Sequence, residues 1–299
     1  MANANDLLRR LTSLYNEDSD GGWLDEQTSY DYLYDAAVEF VDRTGCVHES
    51  QTITTVADQE TYNLNPDFLR LFLKNDSNNY YVTYYGGSVY HNLTWKDPED
   101  ILYGYSTATA AIPSRFAVTD DEPPDQTTGT ATSDGADSGG QQTLTDTAGD
   151  FTDVEAGAIV HNTTDGSDGI VLSKTSSTIL VTALFGGTDN DYTSGDTYVI
   201  QPQARYEIGL SPIPSEVGSL IVYYVKRPAP VYSDYGMYEF INPSALVKYA
   251  YWLYKYRDKD PNLGDALYKF WEIEVSRKAY SINRGLRPNR IKVNLKSRQ

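Results

Sequence analysis

One stretch divides this chain before any secondary structure is assigned. From Asp120 to Gln142 the residues are mostly Asp, Pro, Thr, Ser and Gly, with almost nothing apolar. A segment that can bury so little cannot offset its ordering entropy inside a core, so it reads as a linker. It also separates two kinds of sequence. The two ends of the chain carry helical apolar spacing and a few longer strand-like runs; the part that follows the linker carries short β-like runs between turns. This predicts an α+β fold with a scaffold drawn from both ends and a small all-β unit set into one of its loops.

The scaffold begins with Leu7, Leu8, Leu11, Leu14 and Tyr15 at helical spacing, with Asn5 or Asp6 as the expected cap. A second stripe follows at Tyr30, Leu33, Tyr34, Ala37, Val38 and Val41, with Gly45 placed to end it in a left-handed conformation. The period then changes to that of a strand. Gln51–Val56 is β-branched and alternating, and Glu60–Leu64 is the expected hairpin partner. Phe68–Leu73 continues the sheet or forms a short helix. Further strands are expected at Tyr80–Tyr85, Ser114–Val118, Arg205–Leu210 and Leu220–Lys226, the last broken by Arg227-Pro228-Ala229-Pro230.

Asn242-Pro243 opens a closing helix, because Asn caps and Pro needs no amide donor in the first turn. Leu246, Val247, Ala250, Leu253 and Tyr254 form its apolar face; Leu263, Ala266, Leu267, Phe270, Trp271 and Val275 mark a final one. Within the β unit, strands are expected at Ala158–His161, Ile170–Ser173, Thr178–Thr182 and Thr197–Ile200. The boundaries are a scaffold over 1–116 and 204–283, an acidic linker over 117–142, a β unit over 143–203 and an extended arm over 284–299.

The formal charge of −18 matters less than where it lies. Residues 117–203 hold 15 acids and one base, Lys174, while residues 277–299 hold eight bases and no acid. An acidic body with a basic tail suggests separate tasks for the two, and an acidic body does not grip phosphates. Tyr outnumbers Phe by 26 to 8. A residue with an apolar body and a polar tip suits half-buried positions and subunit contacts. No run of apolar residues approaches the length of a membrane span, and Met1–Asp6 has no signal-peptide pattern, so the expectation is a soluble product of a cytoplasm.

No catalytic constellation stands out. His48, His91 and His161 are scattered, and no phosphate loop, dinucleotide fingerprint, nucleophile elbow or zinc-protease motif is present. Cys46 is the only cysteine and reads as a small buried apolar residue. The run Asp189-Asn190-Asp191-Tyr192-Thr193-Ser194-Gly195 has alternating oxygen ligands, but its Gly comes one place late for a calcium loop and no Glu closes it; a plain turn explains it. The expectation is a protein without enzymatic activity, metal or cofactor.

The tail is the one charged feature with a specific pattern. Arg284, Arg287, Arg290, Lys292, Lys296 and Arg298 interleave with Leu286, Ile291, Val293 and Leu295. The run from Ile291 to Leu295 alternates apolar and polar as a strand does, and such a segment can add to another protein's edge or groove. Aromatic residues for stacking on nucleic acid are missing from it, so protein docking is the preferred reading.

In order along the chain, the Tyr-rich helix, Thr52-Ile53-Thr54-Thr55-Val56, Gln59, Tyr62-Asn63-Leu64, Asp67-Phe68-Leu69-Arg70, and Tyr223-Tyr224-Val225-Lys226-Arg227-Pro228 resemble the head–tail adaptor family of tailed viruses. The resemblance covers 1–116 and 204–299 and skips the β unit. It departs at Asn65, where a Pro is more usual. It implies a small helical bundle with β-hairpins, assembled as a ring, commonly twelvefold, under the portal. The implied partners are further copies, the portal protein and a downstream neck or tail protein, with DNA passing through the channel without specific binding. The implied location is the virion neck. On this resemblance the arm residues Arg284, Leu286, Arg287, Arg290, Ile291, Lys292, Val293, Leu295, Lys296 and Arg298 dock on the portal, and Tyr30, Tyr34, Tyr251 and Tyr254 supply ring contacts.

The β unit is separately similar to a small module recurrent in viral structural proteins, through Leu144-Thr145-Asp146, Asp150-Phe151, Gly157, Asn162–Gly166 and Gly195–Tyr198. Such modules tend to decorate the outside of assemblies. Two alternative readings stand beside the adaptor: a tail-tube gatekeeper or nozzle-ring protein, and a carbohydrate-binding virion protein acting through the β unit.

Overall fold

A computed structural model of the chain describes residues 3–15, 26–75, 79–101, 108–121, 124–137, 139–232, 238, 241–257 and 268–279. It opens with helices α1 (Ala4–Tyr15) and α2 (Glu26–Thr44). The cap of α1 is Asn3, whose Oδ1 accepts the Asp6 amide at 2.8 Å. The expected caps Asn5 and Asp6 lie inside the first turn, where Asp6 pairs with Arg9 and Arg10 instead. An acid there faces the positive helix end, which suits it. Helix α2 buries Tyr30, Leu33, Ala37 and Val41 as its stripe requires. It ends at Gly45, which holds φ +62 and returns its amide to the Val41 carbonyl at 2.7 Å.

The first run of strands is β1 (His48–Thr54), β2 (Thr61–Asn63), β3 (Phe68–Leu71), β4 (Leu73–Asn75), β5 (Asn79–Tyr80), β6 (Val82–Gly86), β7 (Val89–Asn92) and β8 (Thr94–Trp95). A short helix α3 (Pro98–Ile101), then β9 (Thr109–Ala110) and β10 (Arg115–Asp120), complete it. The central part contributes β11 (Thr127–Thr130), β12 (Gln142–Thr145), β13 (Ile159–Asn162), β14 (Ser167–Ser176), β15 (Ile179–Phe185) and β16 (Thr197–Gln201). After it come β17 (Tyr206–Ser211), β18 (Ile213–Pro214), β19 (Ser219–Lys226), helix α4 (Pro243–Arg257) and a helix α5 over residues 268–279. Helix α4 starts as expected, with Asn242 Oδ1 accepting the Ser244 amide at 3.0 Å.

The expected hairpin between residues 51–56 and 60–64 does not form. β1 pairs along all seven residues with β19, whereas β2 joins β17. Thr55 explains the divergence. It is fully buried; its amide bonds the Gly218 carbonyl at 2.9 Å and its Oγ1 accepts the Gly218 amide at 2.8 Å. The Tyr62 hydroxyl folds back on Val56 and Gln59. The chain therefore turns a corner between two sheets instead of reversing, and β1 gains a longer partner than the three residues of β2 could offer.

The first sheet runs β1-β19-β6-β7, with β3 sharing the other edge of β19 end to end with β6. A second sheet runs β2-β17-β10-β8. Between them lies one apolar cluster built on Phe68, Val82, Tyr84, Phe116, Ile208, Leu220 and Tyr224. Every one of these strands but β17 and β19 comes from the first 120 residues, so the two ends of the chain make this core jointly.

Residues 127–201 form a six-stranded antiparallel sheet, β11-β16-β13-β14-β15-β12, around their own cluster of Leu144, Phe151, Val160, Leu180, Tyr192, Tyr198 and Ile200. The flanking strands β10 and β17 pair directly from Arg115↔Ser211 to Asp120↔Tyr206, as expected, and Asp121 N–H reaches the Arg205 carbonyl at 2.9 Å.

The expected linker over 117–142 is corrected at both ends and in its middle. Residues 117–120 belong to β10, Gln142 opens β12, and Thr127–Thr130 pairs in register with β16 while Ala131 is buried. A strand of threonines at a sheet edge is held by the backbone ladder and needs little apolar side chain, so its composition hides it.

One face of β14 and β15 lies against the helices. Leu172 and Ala183 are buried in the same cluster as Leu7, Leu11, Leu33, Phe40, Leu246 and Trp271. The Tyr232 ring bridges the two, 5.8 Å from Phe185 and 5.5 Å from Tyr30. Within the chain the β unit thus caps the helical core.

Candidate functional site

The turn Asp189–Gly195 is held by its own amides, which donate to the flanking acids Asp165 and Asp196 and, at Tyr192, to Asp191. Asp165 accepts the N–H groups of Thr188, Asp189 and Asn190 at 3.0, 2.9 and 3.1 Å, and Asp196 Oδ2 accepts Thr193 N–H and Asn162 Nδ2–H. Among the described residues no three His, Cys, Asp or Glu side chains gather as a metal site. His161 pairs with Asp168 at 2.7 Å on an exposed surface. Cys46 is half-buried and free; burial pushes its thiol up, away from a reactive thiolate.

What the fold does bring together are the segments that carry the resemblance. Asn65–Arg70 and Tyr223–Pro228, some 157 residues apart, meet where β3 pairs β19. The Tyr224 hydroxyl donates to Asp67 Oδ1 at 2.8 Å and accepts from Asn65 Nδ2 at 3.0 Å. Lys226 Nζ lies 3.1 Å from Asp67 Oδ2 and 2.6 Å from Glu49, and the Arg227 amide bonds the Asp67 carbonyl at 2.7 Å. Burial alone would lower the Lys226 ammonium, but its two carboxylate partners outweigh that and hold it above its ordinary range. Burial pushes the Tyr224 hydroxyl up, so it stays a donor. Arg70 reaches the other way and bonds the carbonyl and carboxylate of Asp42, near the C-terminal end of α2. Asn65, which departs from the family pattern, thus holds a hydroxyl that a Pro could not.

The β-unit motifs converge as well. Asp146, buried, accepts from the Tyr198 hydroxyl at 2.7 Å and from the Ala148 and Thr130 amides. Burial drives its carboxyl up; these donors more than offset that and keep it below the ordinary carboxylate value. Gly129 sits over this pair, and a Cβ there would lie 2.4 Å from both oxygens, which accounts for a glycine inside a strand.

Two clefts open where the six-stranded sheet meets the scaffold. One, of about 410 Å³, lies beside the Asp67–Lys226 contact and is lined by Asn65, Glu155, Lys174, Arg227 and Pro228. Its lysines are already paired, Lys174 with Glu155 at 2.5 Å and Lys226 as above, while the buried Arg227 Nε finds no partner among the described residues. The other, of about 440 Å³, lies between α2 and β13–β15 and presents Asp31, Asp35 and Asp168 beside Tyr34, Phe185 and Tyr232. Burial, then the nearby Asp31, raises the Asp35 carboxyl.

Of the residues expected to touch neighbouring subunits, Tyr30 and Tyr254 are 2% and 6% exposed and belong to the helical core. They have no surface to offer, because the stripe that made them attractive in sequence is the stripe the helices bury. Tyr34 lines the acidic cleft and Tyr251 packs on Tyr254 with rings 6.3 Å apart. The expected arm, Arg284, Leu286, Arg287, Arg290, Ile291, Lys292, Val293, Leu295, Lys296 and Arg298, lies outside the described residues.

Strands β6 and β7 form a hairpin that the strand expected at Tyr80–Tyr85 does not include. Its loop, Gly87-Ser88, has φ +59 and +66 at its two positions, the turn type that a Gly-containing pair between alternating aromatics signals. No helix among the described residues is long and apolar enough to cross a membrane. No protein-family model and no curated protein matches the sequence.

Proposed function

We propose that this chain is a structural head–tail adaptor of a tailed virus, assembling as a ring below the portal, with a β unit inserted in one scaffold loop. One observation carries the reading. The widely separated segments of the adaptor resemblance are the residues that close the scaffold core on itself at Asp67, Tyr224 and Lys226. A motif set that coheres in space is supported as a fold signature in a way that scattered similarity is not. The charge pattern agrees with it. An acidic body lining a DNA conduit repels the duplex and lets it slide, while a basic, alternating arm suits docking on another protein. The acidic body gives no general affinity for nucleic acid.

The test uses the full chain, its portal and negative-stain microscopy. Mixing them is expected to give a ring seated on the portal, and a chain stopped at Asn283 is expected to lose it. Normal docking by the truncated chain refutes the arm assignment; no complex with the full chain refutes the adaptor reading.

A further inference from the structure

Most core apolar residues have found partners, so large apolar side chains left in solvent are informative. Among the described residues seven of the ten gather in two places, with Leu14, Ile159 and Tyr223 outside them. The first is one end of the β1-β19-β6-β7 sheet. There the Tyr85 and Tyr90 rings pack against each other, tilted by 44° with centroids 4.7 Å apart, Tyr90 being 65% exposed, and Val89 continues the edge strand. Val217, 69% exposed, and Val56 complete this patch. They are held next to it because Thr55 bonds Gly218 and Ser219 pairs with Tyr85. The second place is α5, where Phe270 and Ile273 stand one turn apart, 53% and 47% exposed, on the face opposite the buried Trp271 and Val275. The expected burial of Phe270 in the core is thereby corrected: its ring instead carries Lys248, whose Nζ lies 4.2 Å from the centroid.

The rims of the two patches have opposite charge. Around the first are Asp58, Glu60 and Glu216. None of the three makes an ion pair among the described residues, and Asp58 and Thr55 tie that turn to the Pro214–Gly218 loop. Burial and then the nearby Glu207 raise the Glu60 carboxyl. Around the second are Lys248, Lys269 and Arg277, the last paired with Glu274 at 2.7 Å, which leaves the rim net basic. Contact of either patch with its own kind would set like charges together, so each suits the other patch on a second copy.

We propose that the occupant of the hairpin patch is the α5 face of a second copy of this chain, with Tyr90 and Val217 packing on Phe270 and Ile273 inside an acidic-to-basic rim. The contact is heterologous, so repetition of it builds a closed ring or an open filament. The inference stands without the adaptor reading, because it requires no portal.

The test uses full-length chain and two substitutions at exposed positions, Tyr90→Asp and Phe270→Asp, each checked for native circular dichroism and melting. Sedimentation velocity over rising concentration is expected to show self-association of the parent that weakens by about tenfold or more in either variant and at molar salt. Mixing the variants is decisive. Each lacks a different half, so together they retain one good interface, and the mixture is expected to give a one-to-one dimer and nothing larger. A mixture that stays monomeric while the parent associates overturns the head-to-tail assignment. Should the parent be monomeric throughout, a Cys46→Ser chain carrying Tyr90→Cys and Phe270→Cys is oxidised at high concentration. A ladder of disulfide-linked multimers supports the contact, and its absence overturns it. Failure here with normal portal docking leaves the adaptor reading intact, and the reverse result leaves this one intact.

Discussion

Asp146 shows how much a single residue decides. Its carboxylate gathers a hydroxyl and two amides from β11, β16 and the turn after β12, tying the edge strand Thr127–Thr130 to the core of its sheet. Asp146→Asn removes the charge and turns one acceptor into a donor facing donors. The expected cost is about 1.5–3 kcal/mol in urea unfolding. Asp146 and Asp165 both have folded carboxyl values below the ordinary one. Their stabilisation is therefore present above the unfolded carboxylate range of about pH 4 and is lost as pH falls through the lower folded values. Acid unfolding followed by tyrosine fluorescence is expected to set in below about pH 4, with a shallower slope in Asp146→Asn.

At the scale of elements, α5 tests which contacts hold a helix in place. The Arg43–Glu272 pair is bidentate, at 2.5 and 2.9 Å, and draws the Glu272 carboxyl down. Both groups are partly solvated, so Arg43→Ala is expected to cost less than about 1 kcal/mol. Trp271 is fully buried, 4.2 Å from the Tyr249 ring and 5.4 Å from Phe40. Trp271→Ala is expected to cost about 3–5 kcal/mol. Hydrogen exchange checks both: in the Trp271 variant α5 amides lose protection, and in the Arg43 variant they keep most of it. The helices and most strands of this chain were legible from period alone. Their partners were not, as Thr55 shows: β1 and β2 read as a hairpin because they are neighbours, yet a buried threonine bonded to Gly218 sends them into different sheets.

For the molecule as a whole, the central sheet closes the helical layer and is more than an appendage. The pairing of β10 with β17 brings residues 121 and 205 within one hydrogen bond, so excising 122–204 with a short turn leaves that ladder able to form. The same excision uncovers the helical core where Leu172, Ala183 and Phe185 sat. The shortened chain is expected to melt lower and to bind an apolar dye strongly. Unchanged melting and no dye binding count against a shared core. Fragments of the sheet for binding assays need to begin before Thr127, since one starting at residue 143 lacks the edge strand β11 and the first residue of β12.

The amino-acid sequence by itself determined the mixture of helices and strands, the cap at Asn242, the left-handed stop at Gly45 and the uneven charge, because these depend on residues a few positions apart. Tertiary structure alone decided that the adaptor-like segments meet at Asp67 and Tyr224, and that threonines at 127–130 form a strand. It also decided that Tyr30 lies inside while Tyr90 and Phe270 face solvent. Each of those outcomes depends on which distant surface arrives, and a local pattern records that a residue can be buried without recording what will cover it.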